Sequence, residues 1–198
     1  HNMVGYDSHL IVRAYQEIAG KRDHLSCLAS NGEKFLTLDC LSYRFIDSYQ
    51  FLQASLDSLL ADVKDDQKRN LRASFPDKQQ FAMCKRKAPF PYAWFDSVAK
   101  LQYPKLPPQA QWYDQLSAKG VSDDDYAFAQ RIWTKFKLQT FGDYMDLYLK
   151  IDVMGLADVF EEFRSMAHAK FGLDPLHYCG LPGFAWDSML KTTKTKLE

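Results

Sequence analysis

Cysteine is scarce in this chain and scattered. Cys27, Cys40, Cys84 and Cys179 stand apart, with no C-x-x-C. A cysteine-built metal site is therefore not indicated, and free, reduced thiols in an intracellular protein, nuclear or cytoplasmic, are the expectation. No apolar run approaches the roughly 18 residues of a membrane span, and no signal peptide opens the chain, so no membrane partner is expected. Net charge is missing as well: 25 basic against 25 acidic residues give no global sign of a nucleic-acid binder. Internal repeats and low-complexity tracts are absent.

What is present is enough chain for a real core. The 198 residues are 46% hydrophobic and 15% aromatic, which argues against disorder and fits one domain. Charge is unevenly spread. From Lys64 to Lys87 eight Lys/Arg face three Asp, a net of +5, and from Val121 to Glu162 four basic face nine acidic residues, a net of −5. A local basic patch can bind phosphate at zero net charge, although a solvated linker is the commoner meaning of such a run. The chain begins at His1-Asn2 without an initiator Met and stops at Leu197-Glu198, so it is expected to be a piece of something larger.

Taken in order, Asp7 to Ile18 predicts a helix with Leu10, Ile11, Ala14, Tyr15 and Ile18 on one face and Gly20 as its stop. Leu25–Ser30 and Glu33–Asp39 flank Asn31-Gly32, a strong hairpin signal, and Leu41–Ile46 extends the sheet. Ser55 caps a short helix carrying Leu56, Leu59, Leu60 and Val63. The charged stretch from Lys64 to Lys87 reads as a loop or connector, and the five prolines among aromatics from Ala88 to Pro108 read as a winding surface segment. Pro107-Pro108 opens a helix holding Trp112 and Leu116, stopped by Gly120. Ser122-Asp-Asp-Asp125 starts another, burying Tyr126, Ala129, Trp133 and Phe136. The longest helix runs from Thr140 or Asp143 to about Lys170, with Leu147, Ile151, Leu156, Val159, Phe160 and Phe163 apolar and Gly172 as its end. A last short helix covers Ala185 to Lys191 after Pro182-Gly183.

Two carboxylates invite a chemical reading. Tyr148 stands four residues ahead of Asp152, so the two share a helix face one turn apart, where a phenol hydroxyl can orient a water beside the carboxylate. Asp7 follows Asn2 and Tyr6 at the head of a helix. Taken singly, each has an ordinary meaning: a surface aspartate, a core aromatic, an N-cap.

The order of the motifs carries more. Asn-x3-Tyr-Asp at the head of a helix, then a hairpin and a strand ending in Asp47-Ser48, then Tyr-x3-Asp in a late helix resembles the proofreading exonuclease of family B DNA polymerases. More narrowly it is similar to the protein-primed branch of phages, linear plasmids and Maverick/Polinton-type transposons. The matching wording is His1-Asn2 with Tyr6-Asp7-Ser8-His9-Leu10, Phe45-Ile-Asp-Ser48, Phe90-Pro-Tyr92 with Asp96-Ser97, Leu106-Pro-Pro108, Gly142-Asp-Tyr144, Leu147 to Asp152 running on to Phe160, and Leu181 to Asp187. It spans essentially the whole chain.

The resemblance implies an α/β fold of the truncated ribonuclease-H-like kind, predominantly helical with a small early antiparallel sheet. It implies residues 1–170 as a partial 3′–5′ exonuclease domain with a connector at about 64–108, and 171–198 as the start of a link to a polymerase domain. Asp7 and Asp152 would be metal ligands, for two Mg²⁺ or Mn²⁺ ions in the complete site, and Tyr148 would position the attacking water. Asn2 and Tyr6, with His1, would grip a single-stranded 3′ end. Ser48 and Tyr49 fall on another strand contact, although Tyr49 stands where the family tends to have leucine. The implied partners are DNA as a 3′ end or primer-template, dNTPs for the parent polymerase, and a terminal priming protein. The first exonuclease motif, with its Asp and Glu, would precede Asn2, so this piece alone is expected to be inactive, with an unpaired sheet edge and an exposed apolar helix face. The family's catalytic lysine has no assigned position. Two alternatives stay open: a non-catalytic DNA- or protein-binding relative, and a two-metal nuclease without a polymerase domain.

Overall fold

The structure is a computed structural model and describes residues 1–3, 7–18, 25–31, 34–114 and 118–195. It is mixed α/β, predominantly helical, with a small three-stranded antiparallel sheet and a separate pair of two-residue strands among the described residues. The chain divides into two compact units, residues 1–55 with 160–198, and residues 56–159.

In the first unit, helix α1 (Asp7–Ile18) and strands β1 (Leu25–Asn31), β2 (Lys34–Cys40) and β3 (Tyr43–Ile46) follow the expected order closely. Leu25 pairs with Cys40 and Asn31 with Lys34, with irregular register around Ala29, while Thr37 to Cys40 pair with Ile46 to Tyr43. Central β2 buries Thr37, Leu38 and Cys40, whereas β1 and β3 are mostly open. On α1 only Ser8 and Tyr15 are buried, Ile11 is half-buried, and Leu10 and Ile18 are exposed. The unit's core is aromatic: Phe51, Ala167 and Phe184 are buried, with Phe160, Phe163 and Phe171 packed against them.

The second unit is helical. Helix α2 (Leu56–Asp62) buries Leu60, and the charged stretch after it folds into α3 (Arg69–Ser74) and α4 (Lys78–Cys84) rather than a connector. Leu71 and Phe75, then Phe81 and Cys84, are buried at helical spacing within that charge, and Asp77 caps α4 by accepting from Gln79 N and Gln80 N. Pro107-Pro108 does not open a helix. It leads into one 3₁₀ turn, Gln109–Gln111, and the paired two-residue strands β4 (Tyr113–Asp114) and β5 (Lys119–Gly120). Buried Trp112 fixes that turn, its Nε1–H donating to Pro107 O at 2.9 Å and its carbonyl accepting from Val121 N at 3.1 Å. Leu116 lies outside the described residues.

Helix α5 (Asp123–Lys135) begins as its sequence indicates, with Ser122 Oγ accepting from Asp125 N at 3.1 Å and donating to Asp125 Oδ2 at 2.8 Å. Its fully buried positions are Phe128, Ala129 and Ile132; Tyr126, Trp133 and Phe136 are half-buried. Helix α6 (Phe141–Phe171) is the longest. Asp143 Oδ2 accepts from Gln139 N and Thr140 N, and Thr140 Oγ1 accepts from Asp143 N, a reciprocal cap that starts it. Phe141, Tyr144, Leu147, Ile151 and Val159 are its large apolar positions buried up to residue 159, where the second unit ends, and Gly155 and Asp158 are buried beside them. Gly172, at φ 62°, closes it, and α7 (Leu181–Thr193) starts earlier than expected because Pro182 occupies its first turn.

Candidate functional site

Tyr148 and Asp152 lie where the four-residue spacing puts them, on one face of α6. The structure adds a lysine. Lys87 Nζ is 3.5 Å from Asp152 Oδ2 and 5.5 Å from the centre of the Tyr148 ring. Lys87 is held from behind, its backbone N–H donating to Asp57 Oδ1 at 2.9 Å. The segment after it lies against α6: the buried Tyr144 hydroxyl donates to Pro89 O at 2.6 Å, and the Phe90 ring sits 4.9 Å from that of Tyr148. Tyr92 Oη then reaches Tyr148 Oη at 2.5 Å.

This environment acts on the Tyr148 phenol in one direction. Burial comes first, then the hydrogen bond with Tyr92 and the charge of Asp152, and together they push its ionisation far above the ordinary phenol range. Tyr148 therefore stays protonated at any physiological pH, a neutral hydroxyl beside a carboxylate. Such a group orients a water; it does not serve as a general base.

In the first unit, four of the expected strand-contact residues come together. Buried Asp47 accepts from Asn2 N at 2.7 Å and from Tyr49 N at 3.0 Å, the second contact capping the turn Ser48–Gln50. A carbonyl can only accept, so the His1 ring donates Nε2–H to Ala54 O at 2.9 Å, and in the neutral tautomer Nδ1 accepts from Ser48 Oγ at 3.0 Å. The His1 and Tyr49 rings meet edge to face at 5.3 Å. His1, Asn2, Ser48 and Tyr49 thus form one cluster around Asp47, and Tyr6 lies outside the described residues.

Asp7 is exposed in the first turn of α1, where a carboxylate suits the helix N-terminus. It belongs to the first unit and Asp152 to the second. Among the described residues no group of three or more His, Cys, Asp or Glu could hold a metal ion. Around Asp152 the donor set is one carboxylate whose neighbour is a lysine, and that alone does not fit a pair of divalent ions.

Lys87 and Tyr92 are the site residues that sequence reasoning passed over. Lys87 closes the basic run, three residues before Phe90, and was visible only as charge; Tyr92 was noted in an aromatic, proline-rich stretch and in the Phe90-Pro-Tyr92 wording, but was given no role.

No family model, curated protein or solved structure matches this chain.

Proposed function

We propose that this chain is the 3′–5′ proofreading exonuclease region of a protein-primed family B DNA polymerase, ribonuclease-H-like in fold. The observation that supports this best is the cluster of Asp152, Tyr148 and Lys87, a carboxylate with a neutral phenol one turn away and a cation against both. Tyr148 would orient the attacking water. Lys87 would take the place of the family's catalytic lysine, its charge set against a scissile phosphate. Asp7 and Asp152 would be two of the carboxylates that hold Mg²⁺ or Mn²⁺. The His1, Asn2, Ser48 and Tyr49 cluster, with Tyr6, would bind the frayed single-stranded end, where aromatic rings stack on bases regardless of sequence.

The test is Mg²⁺-dependent degradation of a 3′-labelled single strand by the full-length product of the reading frame that encodes this chain. Asp152→Ala is expected to lower the rate by at least about 100-fold, in the range that removal of a key electrostatic group costs. Full-length protein in which Asp152→Ala degrades DNA at the wild-type rate would end the reading.

A second reading has one observation in its favour, the neutralisation of Asp152 by Lys87. It holds that the chain binds single-stranded DNA and catalyses nothing. Strand binding by fluorescence anisotropy without degradation by the full-length protein would favour it.

A further inference from the structure

The Tyr148 hydroxyl has a partner of its own kind. Tyr92 Oη lies 2.5 Å away, with the two rings edge to face at 6.4 Å between centroids. Tyr92 is 59% exposed, so no need for burial puts it there. An exposed tyrosine ordinarily gives its hydroxyl to water; this one is turned onto another phenol.

Its backbone is anchored. Pro89 and Pro91 restrict the segment on either side of Phe90, Pro89 O receives the Tyr144 hydroxyl, and Tyr92 N donates to Phe90 O at 3.1 Å. The Tyr92 ring also packs on Phe90, 5.1 Å between centroids. Tyr148 stands on a helix, where its side chain has two main rotamers and a hydroxyl free to turn. A hydrogen bond from a fixed neighbour selects one arrangement.

We propose that Tyr92 is a positioning residue, whose hydroxyl holds that of Tyr148 beside Asp152 before substrate arrives. This rests on the exonuclease reading above. Tyr92 touches no reacting atom and acts through Tyr148 alone. A phenol has one proton and two lone pairs. With one direction committed to Tyr92, the remaining capacity faces the carboxylate side, where a water would be oriented. Tyr92→Phe removes this hydroxyl and leaves the ring contact with Phe90 in place.

The experiment uses the full-length protein, with steady-state degradation of a 3′-labelled single strand in Mg²⁺. Tyr92→Phe is expected to lower kcat about tenfold, the size of one hydrogen bond felt in the transition state, and to leave KM within about a factor of two. Tyr148→Phe should lower kcat at least as far, and the double variant should be no slower than Tyr148→Phe alone, because Tyr92 then has nothing to act on. A second readout is independent of activity. In protein labelled at the tyrosine ¹³Cζ, the Tyr148 resonance, identified by its loss in Tyr148→Phe, should move in Tyr92→Phe while the unfolding midpoint is unchanged.

Additive losses in the double variant, a wild-type kcat for Tyr92→Phe, or an unmoved Tyr148 resonance would each overturn the proposal. An inactive Asp152→Ala beside a wild-type Tyr92→Phe removes the role of Tyr92 alone. An Asp152→Ala protein with full activity removes the exonuclease reading and the role of Tyr92 with it.

Discussion

Replacing Asp158 should damage this protein more than replacing any site residue, because α3 depends on it. The N-cap of α3, Lys68, gives no side-chain cap. The cap comes instead from α6: Asp158 Oδ1 accepts from Asn70 N at 2.7 Å and Asn70 Nδ2 at 2.9 Å, and Oδ2 accepts from Leu71 N at 3.0 Å. Asp158 is 1% exposed and Leu71 fully buried. Asp158→Ala removes all three bonds and leaves buried backbone donors without an acceptor, each costing about 1–3 kcal/mol, while water recovers part of the loss at half-exposed Asn70. The expected total is about 3 kcal/mol, a large fraction of the roughly 5–15 kcal/mol that holds a domain folded. Asp158→Asn keeps the shape and one acceptor, so about 1–2 kcal/mol is expected, and Asn70→Ala, which loses only the side-chain bond, about 0.5–1 kcal/mol. Urea unfolding followed by circular dichroism measures the series, provided the slope m is unchanged. A midpoint shift for Asp158→Ala worth less than about 1 kcal/mol, or an Asn variant as unstable as the Ala variant, would refute the remote cap.

Two further outcomes are expected. Asp174 is held by Arg164, whose guanidinium hydrogen bonds bring its carboxyl down to about 2, so its stabilising effect is complete above the unfolded value near 3.8 and fades as pH falls toward about 2. The stability gap between wild type and Asp174→Asn, about 1 kcal/mol near neutrality after allowance for solvent screening, should therefore close between about pH 4 and pH 2, and a gap that does not change with pH would contradict the pairing. Cys27 and Cys179 are exposed, Cys40 and Cys84 are buried, and burial pushes the Cys84 thiol up to about 12. A thiol reagent at pH 8 should accordingly label two cysteines quickly in the native chain and four in urea; rapid reaction of Cys84 would show its helix to be open.

How far the fold could be read ahead depended on whether local chemistry was decisive. Helices α5 and α6 announce themselves through reciprocal caps, Ser122 with Asp125 and Thr140 with Asp143, which satisfy backbone donors whatever the helix packs against. The β1–β2 pairing follows from alternating strands around Asn31-Gly32. Helix α3 lacked a local cap, and α4 had only the one-sided cap of Asp77. Their first turns are satisfied by Asp158 from far along the chain and by Asp77, and their apolar pairs are only two residues each, so the surrounding charge dominated the reading. The segment at Pro107-Pro108 failed for a related reason. Proline permits a helix start without enforcing one, and the Trp112 indole bond to Pro107 O turns the chain aside.

The candidate site divides along the same line. Tyr148 and Asp152 could be paired in advance because helix geometry alone relates positions four apart. Lys87 and Tyr92 could not, because what brings them to α6 is a tertiary anchor, the Tyr144 hydroxyl on Pro89 O, at a segment with no periodicity of its own. The anchor uses a residue from the same helix face: Tyr144, Tyr148 and Asp152 follow one another at successive turns. Tyr144 is buried and fixes the segment, Tyr148 is half-buried and meets its aromatic end, and Asp152 is partly open and meets its lysine. One stripe of α6 thus changes from buried to partly open over two turns, and the wholly buried residue is the one whose loss should scatter the other contacts.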